Sequence, residues 1–246
     1  HEANQRWAAI RAVPGNDHCC ECAMSDTSWC SLDYGILLCI ECAGAHRSLG
    51  THISKVRSTQ HDVMTDAEFD WVHSLGNAKS NARWEGALPP TMRRPTSDAP
   101  SVLRRVWLRE KYDEQRYVDG TLHRGLLPHE TQCGFLLKQG SLLPTWRRRW
   151  FCVRDGALLY FTDGSESESA FRGAVALQGS WLSVDDEEPL SLQLHTQRRP
   201  PAGGGAAPSG GKSTPQLLLL RAPTAEDAER WAWALFQCAH EAAVRD

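Results

Sequence analysis

No stretch of this 246-residue chain is apolar over the length needed to span a bilayer, and no charged-then-apolar leader opens it. These absences set the expectation of a cytoplasmic protein that meets membranes only peripherally. An excess of either charge is missing too: 27 Lys and Arg stand against 30 Asp and Glu, a net charge of −3. That balance argues against a globally basic nucleic-acid binder, so an anionic partner must be met by a local patch. There is no G-x-x-x-x-G-K-[ST] loop, hence no nucleotide cradle of that type, and no internal repeat. The chain does not begin with Met, and flanking residues are expected beyond its ends. What is present suffices for packed cores: 41% apolar residues and 10 Trp, in a length that fits one large domain or two ordinary ones. Nine cysteines, an odd number, suit a reducing compartment better than a disulfide scaffold.

Four of those cysteines carry the strongest pattern. Cys19, Cys22, Cys39 and Cys42 read C-x2-C-x16-C-x2-C. Two such knuckles can each give a pair of thiolates to one tetrahedral zinc, at Zn–S distances of about 2.3 Å. Disulfides or buried free thiols are the alternative. A metal saturated by four sulfurs has no open position for water or substrate, so the expected role is structural. Cys20 and Cys30 are surplus to the set and are expected to pack.

After the second knuckle the chain reads Gly44-Ala45-His46-Arg47-Ser48-Leu49-Gly50-Thr51-His52-Ile53-Ser54-Lys55-Val56-Arg57-Ser58. Knuckles and text together resemble the zinc-dependent GTPase-activating domain for Arf small GTPases, over roughly residues 3–118. Trp29, the run Gly35-Ile36-Leu37-Leu38 and Gly76-Asn77 belong to the same resemblance. It implies an α+β fold with a small β-sheet surrounded by helices, one structural Zn2+, and an Arf-family GTPase in its GTP form as partner. It also implies that Arg47 is an arginine finger and that Trp29 supports it. The chemistry agrees, because GTP hydrolysis builds negative charge on the β–γ phosphate oxygens and a planar guanidinium meets two of them at once. Such fingers are worth about 10³–10⁵ in rate. The alternatives are an Arg bonded to helix carbonyls or to a surface carboxylate, and a Trp that only packs. His46 is expected to bond backbone, His52 and Ser54 to shape the loop, and Lys55 and Arg57 to form an electropositive rim. Two positions depart from the family pattern: Asp33 stands where Asn is usual, and His61-Asp62-Val63-Met64 where Leu-Asp-x-Trp is usual.

Trp7, Ile10 and Val13 at helical spacing predict a helix over 2–13, stopped by Pro14-Gly15. Short strands are expected at 29–32 and 35–38, then a helix from Cys39 to Leu49. Thr65-x-x-Glu68 has the form of a capping box, leading a helix through Phe69, Val72 and Leu75 to Gly76. Further helices are expected over 78–86 and from Asp98-Ala99-Pro100 to about Tyr117. Residues 1–118 are read as the first domain and 119–131, without periodicity, as a linker.

From Gln132 the period turns to two, in 134–138, 149–153 and 157–161, with Asp155-Gly156 as a tight hairpin. Strand candidates follow near 173–177, 181–184, 190–195 and 216–221, and a helix from Thr224 sets Trp231, Leu235 and Cys238 on one face. Seven strands capped by a C-terminal helix resemble a pleckstrin-homology (PH) domain, a β-sandwich or barrel, over 132–246. The order of the two domains resembles the dual-PH Arf GAPs of the centaurin-α branch, with one such unit here instead of two. Residues 200–215, rich in Pro, Gly and Ala, read as an inserted flexible loop. Lys138, with Arg147 and Arg149, fits the basic signature of phosphoinositide-binding members: a hairpin sets Lys138 opposite the two arginines, and alternation aims both to one face. Arg148 points to the other. By resemblance to members selective for 3-phosphorylated lipids, Tyr160 and Arg172 add a hydroxyl and a further cation. The plainer reading makes the arginines a solvated edge.

Two functions follow. One is activation of GTP hydrolysis on Arf by a protein recruited to phosphoinositide membranes. The other is a non-catalytic adaptor that keeps the zinc module as a docking surface. A zinc-ribbon nucleic-acid binder lacks the basic, aromatic-laced stripe it would need, so no nucleic-acid partner is expected.

Overall fold

The computed structural model describes residues 2–119, 132–140, 143–196 and 216–239. It divides into two compact units, His1–His123 and Arg124–Asp246. The 119–131 segment, apart from Asp119, and the 200–215 loop lie outside the described residues.

In the first unit, helix α1 (Glu2–Arg11) buries Trp7 and Ile10 against Phe69 and Val72. Three short antiparallel strands, β1 (Trp29–Ser31), β2 (Ile36–Leu38) and β3 (Val56–Ser58), lie in the order β2-β1-β3. Strand β3 is unannounced in the sequence, since three residues give no alternation to read. Helix α2 (Ile40–Ser48) runs between β2 and β3, with Cys39 as N-cap.

Helix α3 (Asp66–Trp84) begins with the expected capping box: Thr65 accepts from the Glu68 amide while Glu68 accepts from that of Thr65. Gly76, at φ 71° and ψ 171°, breaks it into the two helices the sequence suggests. The break also delivers Asn77, which bonds the Leu37 amide at 2.8 Å and the His18 carbonyl at 2.7 Å, tying sheet and first knuckle to α3. Helix α4 (Ser101–Leu108) is shorter than expected. It passes into a π-helical turn, Arg109–Asp113, and Gln115 at φ 51° stops the helix before Tyr117.

Both departures from the family pattern are absorbed locally. The Asp33 carboxylate accepts the Lys55 amide, a bond an Asn oxygen would also make. Met64 sits in the apolar core with Trp7, Leu37 and Phe69, and Asp62 accepts the Ser58 amide at 2.6 Å.

The second unit is a seven-stranded antiparallel sheet and one helix, so the whole chain is α+β. Its strands are β4 (Cys133–Gln139), β5 (Trp146–Arg154), β6 (Ala157–Phe161), β7 (Phe171–Ala176), β8 (Trp181–Val184), β9 (Ser191–Thr196) and β10 (Gln216–Arg221). Their order is β7-β6-β5-β4-β10-β9-β8. Asp155 and Gly156 turn β5 into β6 with φ of 49° and 69°, the left-handed pair a two-residue hairpin requires. Helix α5 (Ala225–Cys238) lays Trp231, Leu235 and Cys238 on the sheet. Trp231 packs over Gly134, where a Cβ would lie 3.7 Å from the indole, in ordinary contact. One pairing has no sequence signal. Cys133 and Cys152 face each other across β4 and β5, with Cα atoms 4.2 Å apart, and form a disulfide in a chain whose cysteine usage reads as reducing.

Candidate metal centre, arginine surface and cationic cluster

The four predicted ligands converge. The Sγ atoms of Cys19, Cys22, Cys39 and Cys42 lie within 4.8 Å of one another and all four residues are buried. A tetrahedron with 2.3 Å arms has edges of about 3.8 Å, and Cys22 Sγ to Cys39 Sγ is 3.6 Å. The set therefore fits a zinc finger. Crowding splits the four thiols: neighbouring sulfurs, Cys22 first, push Cys19 far up and Cys19 foremost does the same to Cys42, while Cys19 foremost pulls Cys22 and Cys39 down, so a cation favours ionisation of the whole set. Cys39 is also the α2 N-cap, accepting the Cys42 amide at 3.5 Å, which favours its thiolate. Cys20 and Cys30 stand outside the cluster and are buried, Cys20 donating to Asn81 Oδ1 at 3.1 Å.

Between the first two ligands lies a group that sequence reading misses. Glu21 is buried and accepts from Trp107 Nε1 at 2.9 Å, Lys111 Nζ at 2.9 Å and the Tyr112 hydroxyl at 2.6 Å. Lys111, wholly buried, also reaches Glu85 Oε1 at 2.7 Å and Asn81 Oδ1 at 2.8 Å. Burial alone would raise the Glu21 carboxyl, but Lys111 and His46 hold it well below the usual range. Removing the ammonium strands two buried carboxylates, so Lys111→Met should cost about 3–5 kcal/mol. Denaturant titration of the zinc-loaded protein measures it.

Arg47 closes α2 and is exposed, whereas Trp29 on β1 is half-buried. The guanidinium carbon lies 4.2 Å from the centroid of the Trp29 ring, a cation–π stack. Among the described residues Arg47 makes no hydrogen bond or ion pair; it bonds neither helix carbonyls nor a carboxylate. Trp29 is thus more than a core packer: one ring face carries the arginine. His46 differs from expectation. Its ring is fully buried and bonds a side chain, not backbone: Nδ1 lies 2.9 Å from Ser54 Oγ, while Nε2 only faces Glu21 Oε1 at 3.6 Å, beyond hydrogen-bond length. A side chain facing the interior beside the knuckle has those groups before it, while the helical carbonyls are already bonded. His52 and Lys55 are exposed, and Arg57 is half-buried.

In the second unit Lys138 pairs in register with Arg147, and Leu136 with Arg149, so the three cations share one face of the β4–β5 hairpin. Lys138 Nζ lies 5.6 Å from the Tyr160 ring. Burial, then Arg149 and Arg147, push the Lys138 ammonium down, as befits cations gathered without an anion. Gly173 opposite Tyr160 gives its hydroxyl room, since a Cβ there would come within 2.6 Å. Arg148 takes the other face and stacks on Phe135 at 3.6 Å. Arg172 does not join the cluster; it donates to the carbonyls of Ser169 at 3.0 Å and Phe171 at 2.8 Å in its own turn.

Comparison with known proteins agrees with both units. Residues 4–121 match the ArfGap model, described as "Putative GTPase activating protein for Arf", and residues 130–240 match the PH domain model. The chain is 32% identical over 153 residues to the Arf-GAP with dual PH domain-containing protein 2 of Rattus norvegicus, covering 61% of this chain and 40% of that protein. It is 40% identical over 110 residues to "Probable ADP-ribosylation factor GTPase-activating protein AGD15" of Arabidopsis thaliana, covering 45% and 44%. The chain thus spans less than half the length of these curated relatives. Among solved structures, the ArfGap domain of human RIP matches at a TM-score of 0.44 and 20% identity, covering 50% of this chain and 92% of that one. The chain thus carries an ArfGap domain over residues 4–121, followed by a PH domain over residues 130–240.

Proposed function

We propose that this chain accelerates GTP hydrolysis by an Arf-family GTPase in its GTP form, supplying Arg47 in trans. The carrying observation is the exposed guanidinium stacked on Trp29, on an ArfGap domain whose cysteines fit one closed metal site. Zinc is the ion that four buried thiolates suit, and with no open position it holds Cys19–Cys42 in shape instead of activating water. Catalysis then falls to the arginine, which stabilises charge on the transferred phosphoryl group. A nucleotide site within this chain is disfavoured. Residues 206–213 differ from the phosphate-binding loop only by Ala206 for Gly, but that loop must open a helix, and strand β10 begins at Gln216. The adaptor reading loses its footing at Asp33, whose bond to the Lys55 amide keeps the loop shape. Single-turnover hydrolysis on purified Arf–GTP, with and without this chain, tests the proposal; rates equal to intrinsic hydrolysis on every Arf protein would refute it.

The PH unit is the membrane address, at a peripheral site. Among the described residues no helix is long and apolar enough to cross a membrane. Lys138, Arg147 and Arg149, with the Tyr160 hydroxyl, are the groups for an inositol phosphate, and a 3-phosphorylated phosphoinositide is the ligand we assign. Arg172, bonded in its own turn, contributes only if it leaves those carbonyls. Lys138→Ala or Arg149→Ala should abolish sedimentation with phosphoinositide vesicles, whereas Arg148→Ala, an equal change in charge, should leave most of it. Equal losses from all three would mean diffuse attraction in place of a pocket.

A further inference from the structure

The arginine and the tryptophan sit on different elements, and one buried chain of polar groups joins those elements. Ser54 Oγ, 1% exposed, lies 2.9 Å from His46 Nδ1 and 2.9 Å from Ser31 Oγ. His46 in turn faces Glu21 Oε1 at 3.6 Å, and Glu21 is anchored by Trp107, Lys111 and Tyr112. His46 and Arg47 are neighbours on α2, about 100° apart around the helix. Locking the imidazole inward therefore sets the rotation of α2 that aims Arg47 outward. Ser31 and Trp29 are two residues apart on β1, hence on one face of that strand. Holding the Ser31 hydroxyl thus sets where the Trp29 ring stands.

We propose that His46, Ser54 and Ser31 form a positioning relay that holds Arg47 over Trp29 and so presents the guanidinium already oriented for the phosphoryl group of a partner's GTP. The inference rests on the reading of Arg47 as an arginine finger and adds the residues that aim it. All three are buried, so they act through Arg47 and Trp29. A packed apolar interior would bury α2 equally well but would allow it to roll, since apolar contacts have no direction; hydrogen bonds do. Aim matters because a displacement of about 1 Å at the reacting centre can cost about 10²-fold in rate.

The test uses the full zinc-loaded chain and single-turnover hydrolysis on Arf–GTP across a range of activator concentrations. Ser54→Ala cuts the relay at its middle, and Ser31→Ala at the strand end, where it removes only one hydroxyl. Each should lower the maximal rate about tenfold while leaving the half-saturating concentration and zinc content within twofold of the parent. Combined with Arg47→Lys, each should add no further loss, because a relay that aims the guanidinium has nothing left to aim. A raised half-saturating concentration, an unchanged maximal rate, or losses that multiply with Arg47→Lys would overturn the relay. Should Ser54→Ala fail to fold, Ser31→Ala decides by the same criteria. The outcomes separate the two readings: an Arg47→Lys protein as fast as the parent sinks the finger itself. A slow Arg47→Lys beside parental rates in both serine variants sinks only the relay.

Discussion

Arg47→Lys is expected to slow Arf-directed GTP hydrolysis by about 10³-fold or more while leaving Arf binding and zinc content as they are. Charge is conserved in this substitution; geometry is not. A guanidinium is planar, presents parallel donors to two oxygens at once and lies flat on an indole, and an ammonium does none of these. The structure shows the stacked state directly, with the guanidinium carbon 4.2 Å from the Trp29 centroid. The expected loss corresponds to about 4 kcal/mol of transition-state stabilisation. Single-turnover kinetics measure it, and wild-type rates from the Lys variant would return the molecule to the adaptor reading. Trp29→Ala should fall between the two, because it removes the platform and leaves the fork.

Loss of the metal should be as severe for folding as loss of Arg47 is for rate. The residues between Cys19 and Cys42 hold two three-residue strands, little structure without a staple. Structural zinc in comparable small modules contributes about 10–16 kcal/mol, as much as the whole stability of an ordinary domain. Chelation, or Cys39→Ala, which also removes the α2 N-cap, is expected to open the first unit to proteolysis. Cys20→Ala should leave it protected, since Cys20 only donates to Asn81 from outside the cluster. Elemental analysis should give one zinc per chain. A folded, helical first unit without metal would refute the structural role.

Local patterns were legible in the sequence where their chemistry is local. The knuckles, the Thr65 capping box and the Asp155-Gly156 hairpin each lie within a few residues and appear where the spacing puts them. Alternation also separates Arg148 from Arg147 and Arg149. What stayed hidden depends on contacts distant in sequence. Glu21 and Lys111 are 90 residues apart, and neither a Glu inside a knuckle nor a Lys in a late helix announces a partner. Cys133 and Cys152 are 19 apart and meet only because of the β4–β5 register. Resemblance alone points Arg172 to the lipid site, and in the structure it bonds carbonyls of its own turn. The bond from His46 to Ser54 has no signal in the sequence, because the position of Ser54 cannot be seen from α2 alone.

The proposed function needs both units: Arg47 would act on Arf, and the Lys138 cluster would bring it to a phosphoinositide membrane that carries Arf. Tethering both partners to one bilayer raises their effective concentration without any new contact. The most direct measurement compares single-turnover hydrolysis on membrane-bound Arf–GTP, with phosphoinositide in the vesicles, against soluble truncated Arf–GTP, using the parent chain and Lys138→Ala. The parent should accelerate hydrolysis on both and be much faster on the vesicles, and Lys138→Ala should lose the membrane advantage while matching the parent on soluble Arf. No acceleration by the parent on either substrate, or equal vesicle rates from the parent and Lys138→Ala, would contradict it.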